Sequence, residues 1–228
     1  MLVIGHRGAS VAAHENTVAA FRLADEMGAD GVELDVRLAP DHRLLVKHDA
    51  LPRDAAALDV LPTLDAVLEA CGEMLVNVEI KNTAGEPDHD PSGEVVALTV
   101  AALRRHGGTE RWIISSFDWD TIQRCRRAAP DIATAFLVTE ATADAIERTV
   151  AAGHRALHPW EPSLTGELVE RCHAVGLAVN TWTCNDPVRI SELAAIGVDG
   201  ICTDVPDVAL GALGRGPASV TAQWGRPA

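Results

Sequence analysis

Short β-like runs alternate with amphipathic helical patterns from one end of the chain to the other, and eight strands with seven helices between them in 228 residues predict a single-domain (β/α)8 TIM barrel. Three observations carry that fold class. The alternation is the mark of a parallel sheet with crossover helices, and the length is close to the roughly 250 residues usual for the closed barrel. The first strand-to-helix turn, GHRGAS, also lacks the G-x-G-x-x-G pattern that an open dinucleotide-binding sheet would place there. The barrel is expected to occupy residues 1–213. The Gly- and Pro-containing segment 214–228 reads as a flexible, solvent-exposed C-terminal tail.

Taken in order, the expected strands lie near Val3–Gly8, Gly31–Leu38, Met74–Lys81, Trp112–Phe117, Ala133–Val138, Arg155–Trp160, Ala178–Thr183 and Gly200–Thr203. The intervening helices run from Thr17 to Gly28, Thr63 to Gly72, Ser92 to Gly107, Asp118 to Pro130, Thr142 to Gly153, Ser163 to Gly176 and Asn185 to Gly197. Each opens on a residue whose side chain can accept from an orphan backbone N–H, and all but one close at glycine. Apolar spacing agrees: Leu64, Val67, Leu68 and Cys71 share one helical face, as do Leu164, Leu168, Cys172 and Val175. An extra extended stretch, Leu44–Asp49, reads as a short hairpin or rim segment. The acidic loop GEPDHDPSG after the third strand reads as solvent-exposed.

Composition narrows the function classes. Hydrophobic residues make up 47% and charged residues 23%, which is ordinary globular usage and argues against disorder. Nineteen Lys and Arg against 33 Asp and Glu give a net charge of −14, so the surface would repel a nucleic-acid backbone. No apolar run approaches the roughly 20 residues that span a bilayer, and MLVIGHRGAS has no basic leader, so stable membrane insertion is not expected and a cytoplasmic location is. The five cysteines are far apart and unpaired in sequence, and they read as small buried core residues.

The strands of a parallel barrel are covered on both faces and should be nearly continuous in hydrophobicity. Two are not. In GVELDVRLA, Val32, Leu34, Val36 and Leu38 share one face while Glu33, Asp35 and Arg37 share the other. In LVNVEIK the same alternation separates Val76, Val78 and Ile80 from Asn77, Glu79 and Lys81. The apolar faces suit the outer helices, which sends the charged faces toward the barrel axis, near the strand ends where barrel active sites are built. Glu33, Asp35 and Glu79 converging there would offer hard oxygen ligands for Mg²⁺ or Ca²⁺. The plainer alternative is a set of internal ion pairs, Asp35 with Arg37 and Glu79 with Lys81.

The first strand ends in His6, Arg7 and Gly8. Arg7 can hold a phosphate through two parallel hydrogen bonds, Gly8 lets backbone approach a ligand, and His6 can exchange protons near neutral pH. His48, in LLVKHDA, adds a second imidazole beside the carboxylates. Two histidines flanking a metal and an arginine suit acid and base roles in phosphoryl chemistry.

The ordered set HRG at 6–8, ENT at 15–17, ELD at 33–35, HD at 48–49 and EIK at 79–81 resembles the glycerophosphodiester phosphodiesterase family. The resemblance continues through SSFD at 115–118, NTWTCND at 180–186 and DGICTDVPD at 199–207, so it covers nearly the whole chain. It implies hydrolysis of a small-molecule glycerophosphodiester to sn-glycerol 3-phosphate and an alcohol, using one divalent cation, Mg²⁺ or Ca²⁺ with Mn²⁺ a further option. By the same resemblance Glu33, Asp35 and Glu79 are the metal ligands and His6 and His48 the acid and base. Arg7 and Lys81 clamp the phosphate, Trp182 walls the glycerol pocket, and Glu15 and Asn16 shape the rim. Departures are His14 where relatives commonly carry proline before ENT, and a short span between His48 and Glu79 that leaves the mouth open.

Other readings separate on simple features. A lysophospholipase D-type activity would use the same site on a lipid substrate. A glycosidase would use two carboxylates without a metal and would give His6, Arg7, His48 and Lys81 no common purpose. A non-catalytic phosphate-binding module would not need every acid, base and ligand position filled.

Overall fold

The computed structural model describes residues 1–216 and Trp224. Eight parallel strands form the closed barrel that the alternation predicts. They are β1 (Leu2–His6), β2 (Gly31–Leu38), β4 (Leu75–Ile80), β5 (Trp112–Ser116), β6 (Ala133–Val138), β7 (Ala156–Pro159), β8 (Ala178–Thr181) and β9 (Gly200–Thr203). Strand β1 pairs with both β2 and β9, which closes the ring. The remaining strand, β3 (Leu44–Val46), runs antiparallel to the end of β2, pairing Val36 with Val46 and Leu38 with Leu44. The extended stretch after the second strand is therefore a hairpin arm.

The ring of helices comprises α1 (Val18–Glu26), α2 (Ala55–Asp59), α3 (Leu64–Ala70), α4 (Glu94–His106), α5 (Trp119–Ala128), α6 (Ala143–Ala151), α7 (Gly166–Ala174), α8 (Pro187–Ala195) and α9 (Pro206–Ala212). Thr17, Thr63, Asp118 and Thr142 cap α1, α3, α5 and α6 by accepting from backbone N–H groups of the first turn. Three expected caps move. Gly93 replaces Ser92 at α4, Thr165 replaces Ser163 at α7, and Asp186 replaces Asn185 at α8. Asn185 is diverted because its side chain accepts from Thr203 Oγ1 and the Asp204 amide, holding the turn after β9.

The two-residue alternation sorts side chains as expected. Val32, Leu34, Val36, Val76, Val78 and Ile80 join Phe21, Leu64, Val67 and Leu103 in the layer between barrel and helices. Burying each such side chain contributes about 1.5–3 kcal/mol. All five cysteines are buried and free. Inside the base of the barrel, Ile4, Leu75, Ile113, Ala135, Ala156 and Cys202 surround the Trp224 indole, whose Nε1 donates to the Arg111 carbonyl at 2.7 Å. Most of the expected tail at 214–228 lies outside the described residues. At Trp224 the expectation of solvent exposure is corrected: the residue is 7% exposed, packed in one apolar cluster with Ile4, Leu75, Ile113, Ala135, Ala156 and Cys202.

The loop 85–93 is also less exposed than its composition suggests, since Asp88 turns inward to meet a buried arginine. No described helix is long and apolar enough to cross a membrane.

Candidate active site

Register brings the acidic residues together. In the barrel His6 lies beside Glu33, and Asp35 lies beside Glu79. One oxygen from each of Glu33, Asp35 and Glu79 lies within 4.8 Å of the others, with all three residues buried. Glu33 Oε1 has no hydrogen-bond partner among the described residues. Asp35 Oδ1 and Glu79 Oε1 lie 3.2 and 2.6 Å from Lys81 Nζ, at angles that make no well-formed hydrogen bond.

The electrostatics are uneven. Burial pushes the Glu33 carboxyl well above the usual carboxylate range, reinforced by Asp35 and Glu79, and burial likewise raises Glu79. Burial also pushes Asp35 upward, but Lys81, Arg7 and the Asn16 amide outweigh it and hold Asp35 below its ordinary value. Three crowded carboxylates with two cations at their edge form a cluster that could bind a hard divalent ion. Three buried acids against two cations are costly without one.

Each carboxylate is held in place. Asn16 Nδ2 donates to Asp35 Oδ2 at 2.8 Å while its Oδ1 accepts from the Asp35 amide, and Asn16 adopts the left-handed backbone region (φ 57°) to do so. The Arg7 amide donates to Glu33 Oε2 at 3.0 Å. Its guanidinium spans Glu15 Oε2 at 2.8 Å and Asp35 Oδ2 at 3.3 Å. Gly8 completes this turn with φ 86°, and a Cβ there would sit 2.6 Å from Ala20 of α1.

The two expected histidines are supported differently. His6 closes β1, and its Nδ1 lies 2.6 Å from Asp204 Oδ1. Ser10 Oγ and Asn185 Nδ2 also donate to Asp204. Burial opposes ionisation of Asp204, but the hydrogen bonds from His6 and Asn185 bring it down to about 2. An ionised acceptor at Nδ1 fixes the ring so that Nε2 faces the carboxylates, 4.0 Å from Glu33 Oε2. His48 lies on the irregular segment after β3, with its ring 3.0 Å from the exposed Asp49 carboxylate.

His6, Arg7, Glu33, His48, Glu79, Lys81 and Trp182 line one cavity. Asp35 alone of the eight expected site residues stands behind its surface, 1% exposed. Trp182 is fixed by donation from Nε1 to the His158 carbonyl and by an edge contact with Phe117 at 5.3 Å. The plainer ion-pair alternative is half present: Glu79 meets Lys81, but Asp35 meets Lys81 and Arg7 instead of Arg37. Arg37 turns away to Glu86 and Asp88. Sequence reading missed Asp204, Ser10 and Asn185. Asn185 and Asp204 do lie in the NTWTCND and DGICTDVPD motifs of the resemblance, but no role follows from those motifs alone.

Comparison with known proteins identifies the family and its fold relatives. Residues 6–61 and 50–208 match the sequence model of the Glycerophosphoryl diester phosphodiesterase family. A glycerophosphodiester phosphodiesterase of Caldanaerobacter subterraneus is 31% identical over 94% of this chain and 98% of its own. Among solved structures, an Oleispira antarctica phosphodiesterase in complex with the product sn-glycerol-3-phosphate superposes with a TM-score of 0.86 at 26% identity, covering 94% of this chain and 97% of that one. A glycerophosphodiester phosphodiesterase from Thermotoga maritima superposes with a TM-score of 0.77 at 26% identity, over 94% and 98% of the two chains.

Proposed function

Because the chain belongs to the glycerophosphoryl diester phosphodiesterase family and is thereby a phosphoric diester hydrolase, we propose a metal-dependent cleavage of glycerophosphodiesters to sn-glycerol 3-phosphate and an alcohol. In this reading His6 and His48 are the acid–base pair. The observation that carries it is the single cavity in which two imidazoles, Arg7 and Lys81 surround the Glu33, Asp35 and Glu79 cluster.

A divalent cation held by the three carboxylates would supply positive charge to a phosphate oxygen. Arg7 and Lys81 neutralise the remaining phosphate oxygens and orient the diester between the two rings. One histidine takes the proton from the glycerol hydroxyl adjacent to the ester, whose oxygen forms a bond to phosphorus. The other histidine protonates the departing alkoxide as its P–O bond breaks. A water molecule then opens the cyclic phosphate, with the two histidines exchanging roles. Trp182 and Phe117 form the apolar wall against which the glycerol carbons rest.

The test is release of sn-glycerol 3-phosphate from glycerophosphocholine with and without EDTA, followed by add-back of Mg²⁺, Ca²⁺ and Mn²⁺. Loss on chelation and recovery on add-back are expected. Activity indifferent to chelation would overturn metal dependence. The exposed aromatic side chains of Phe117 and Trp160 near the mouth favour a second reading, lysophospholipase D-type cleavage at the same site. Choline release from lysophosphatidylcholine, compared with glycerophosphocholine, separates the two.

A further inference from the structure

Arg37 is 3% exposed on the charged face of β2, yet it touches none of the three clustered carboxylates. Its guanidinium reaches the irregular segment after β3. Nε and Nη2 both donate to the backbone carbonyl of His48, at 2.9 and 2.7 Å. Nη1 donates to Glu86 Oε2 at 2.7 Å and to Asp88 Oδ1 at 2.9 Å. Asp88 in turn accepts from the Leu51 amide at 2.9 Å. The main chain is thus gripped at His48 and again three residues later. The preceding Lys47 amide is tied to the Asp35 carbonyl.

This grip matters because His48 has little else. His6 sits in a strand with its ring locked by Asp204, whereas among the described residues the His48 ring hydrogen-bonds only to an exposed neighbouring carboxylate. The placement of the second imidazole is therefore set through its backbone. We propose that Arg37 is a positioning residue for His48, serving that histidine at the main chain as Asp204 serves His6 at the ring. The role rests on the reading of His48 as an acid–base group. It needs arginine: a planar fork can give two N–H groups to one carbonyl and others to two carboxylates, which a single ammonium cannot.

The experiment compares Arg37→Lys with wild type, alone and in a His48→Ala background, below the thermal transition of every variant. Misplacing a reacting group by about 1 Å can cost on the order of a hundredfold in rate. Arg37→Lys is therefore expected to lower kcat about ten- to a hundredfold with KM within about twofold. In the His48→Ala background the same change should have almost no further effect, because coupled groups are not additive. The His48 ring proton resonances should shift or broaden while those of His6 stay in place. Wild-type kcat in Arg37→Lys, or equal losses in both backgrounds, overturns the proposal. Full turnover by His48→Ala removes that histidine from the reaction and this role with it, a failure distinguishable by its occurring without any change at Arg37.

Discussion

His6 Nδ1 lies 2.6 Å from Asp204 Oδ1 although 198 positions separate the two residues in sequence. Closure of the barrel through β1 and β9 makes the contact, since the strand that ends in His6 is hydrogen-bonded to the strand that precedes Asp204. The pair resembles a general base and its orienting carboxylate, in which the carboxylate selects the tautomer and stabilises the protonated ring.

Replacing Asp204 by asparagine keeps the shape but removes the charge. Turnover should fall by about a hundredfold or more, because an uncharged partner neither fixes the tautomer nor stabilises the imidazolium. Folding stability should change with a defined pH dependence. The folded pKa of Asp204, about 2, lies below its ordinary 3.8, so its contribution is complete above about pH 4 and is lost as pH falls toward 2. Urea unfolding of both proteins across that range checks the sign, and a constant difference would contradict it.

The histidines themselves should separate catalysis from metal binding. His6→Ala and His48→Ala should each lower turnover by about a hundredfold or more, the usual contribution of a positioned acid or base. Neither ring is a member of the carboxylate cluster, so calorimetric affinity for Mn²⁺ or Mg²⁺ should remain near the wild-type value. Retained turnover in both variants would remove the pair from the mechanism.

Asn16 should show the opposite pattern. It donates to one Asp35 oxygen and accepts from the Asp35 amide, so it aims a proposed ligand without touching the cavity itself. Groups that orient ligands typically cost about 10- to 100-fold in metal affinity when removed. Asn16→Ala is expected to weaken divalent-ion binding by that factor, and activity should recover at high metal concentration. Unchanged metal affinity with lost activity would place Asn16 in substrate binding instead.

These particular residues also show what a linear sequence reveals. The inward acids were legible because strand side chains alternate with period two, and polar residues stand out on strands that should be apolar on both faces. The Asp35–Arg37 pairing was plausible on one strand but wrong across strands. Asp35 lies in register with Glu79, which puts Lys81 within its reach and leaves Arg37 to the loop beyond. Asp204 and Asn185 sit in quoted motifs, but their pairing with His6 and with each other was illegible for a related reason. Their importance comes from ring closure and from a turn in which Asn185 holds Asp204 while Asp186 takes over the helix cap. Trp224 stands among glycine and proline in the sequence, whereas its burial comes from packing with residues of distant strands such as Ile4, Leu75 and Ile113.

Two buried histidines outside the proposed acid–base pair predict how the fold responds to acid. His154 is packed against Trp119, with Nδ1 2.8 Å from Thr134 Oγ1, and burial, aided by Arg126 and Arg148, lowers its pKa to about 4. His158 lies in the barrel interior beside Asn180, and burial lowers it to about 3. Both are neutral in the native state, while the unfolded chain takes up protons on them near the ordinary value of 6.5. The unfolded state therefore binds more protons below that pH, and stability must fall as pH drops from about 6.5 toward 4. Each group contributes a slope of up to about 1.4 kcal/mol per pH unit in that window. His154→Gln, which retains hydrogen-bonding capacity without titrating, should remove one share of the slope in urea unfolding measured at successive pH values. A slope identical to wild type would mean that His154 is already charged, or exposed, in the folded protein.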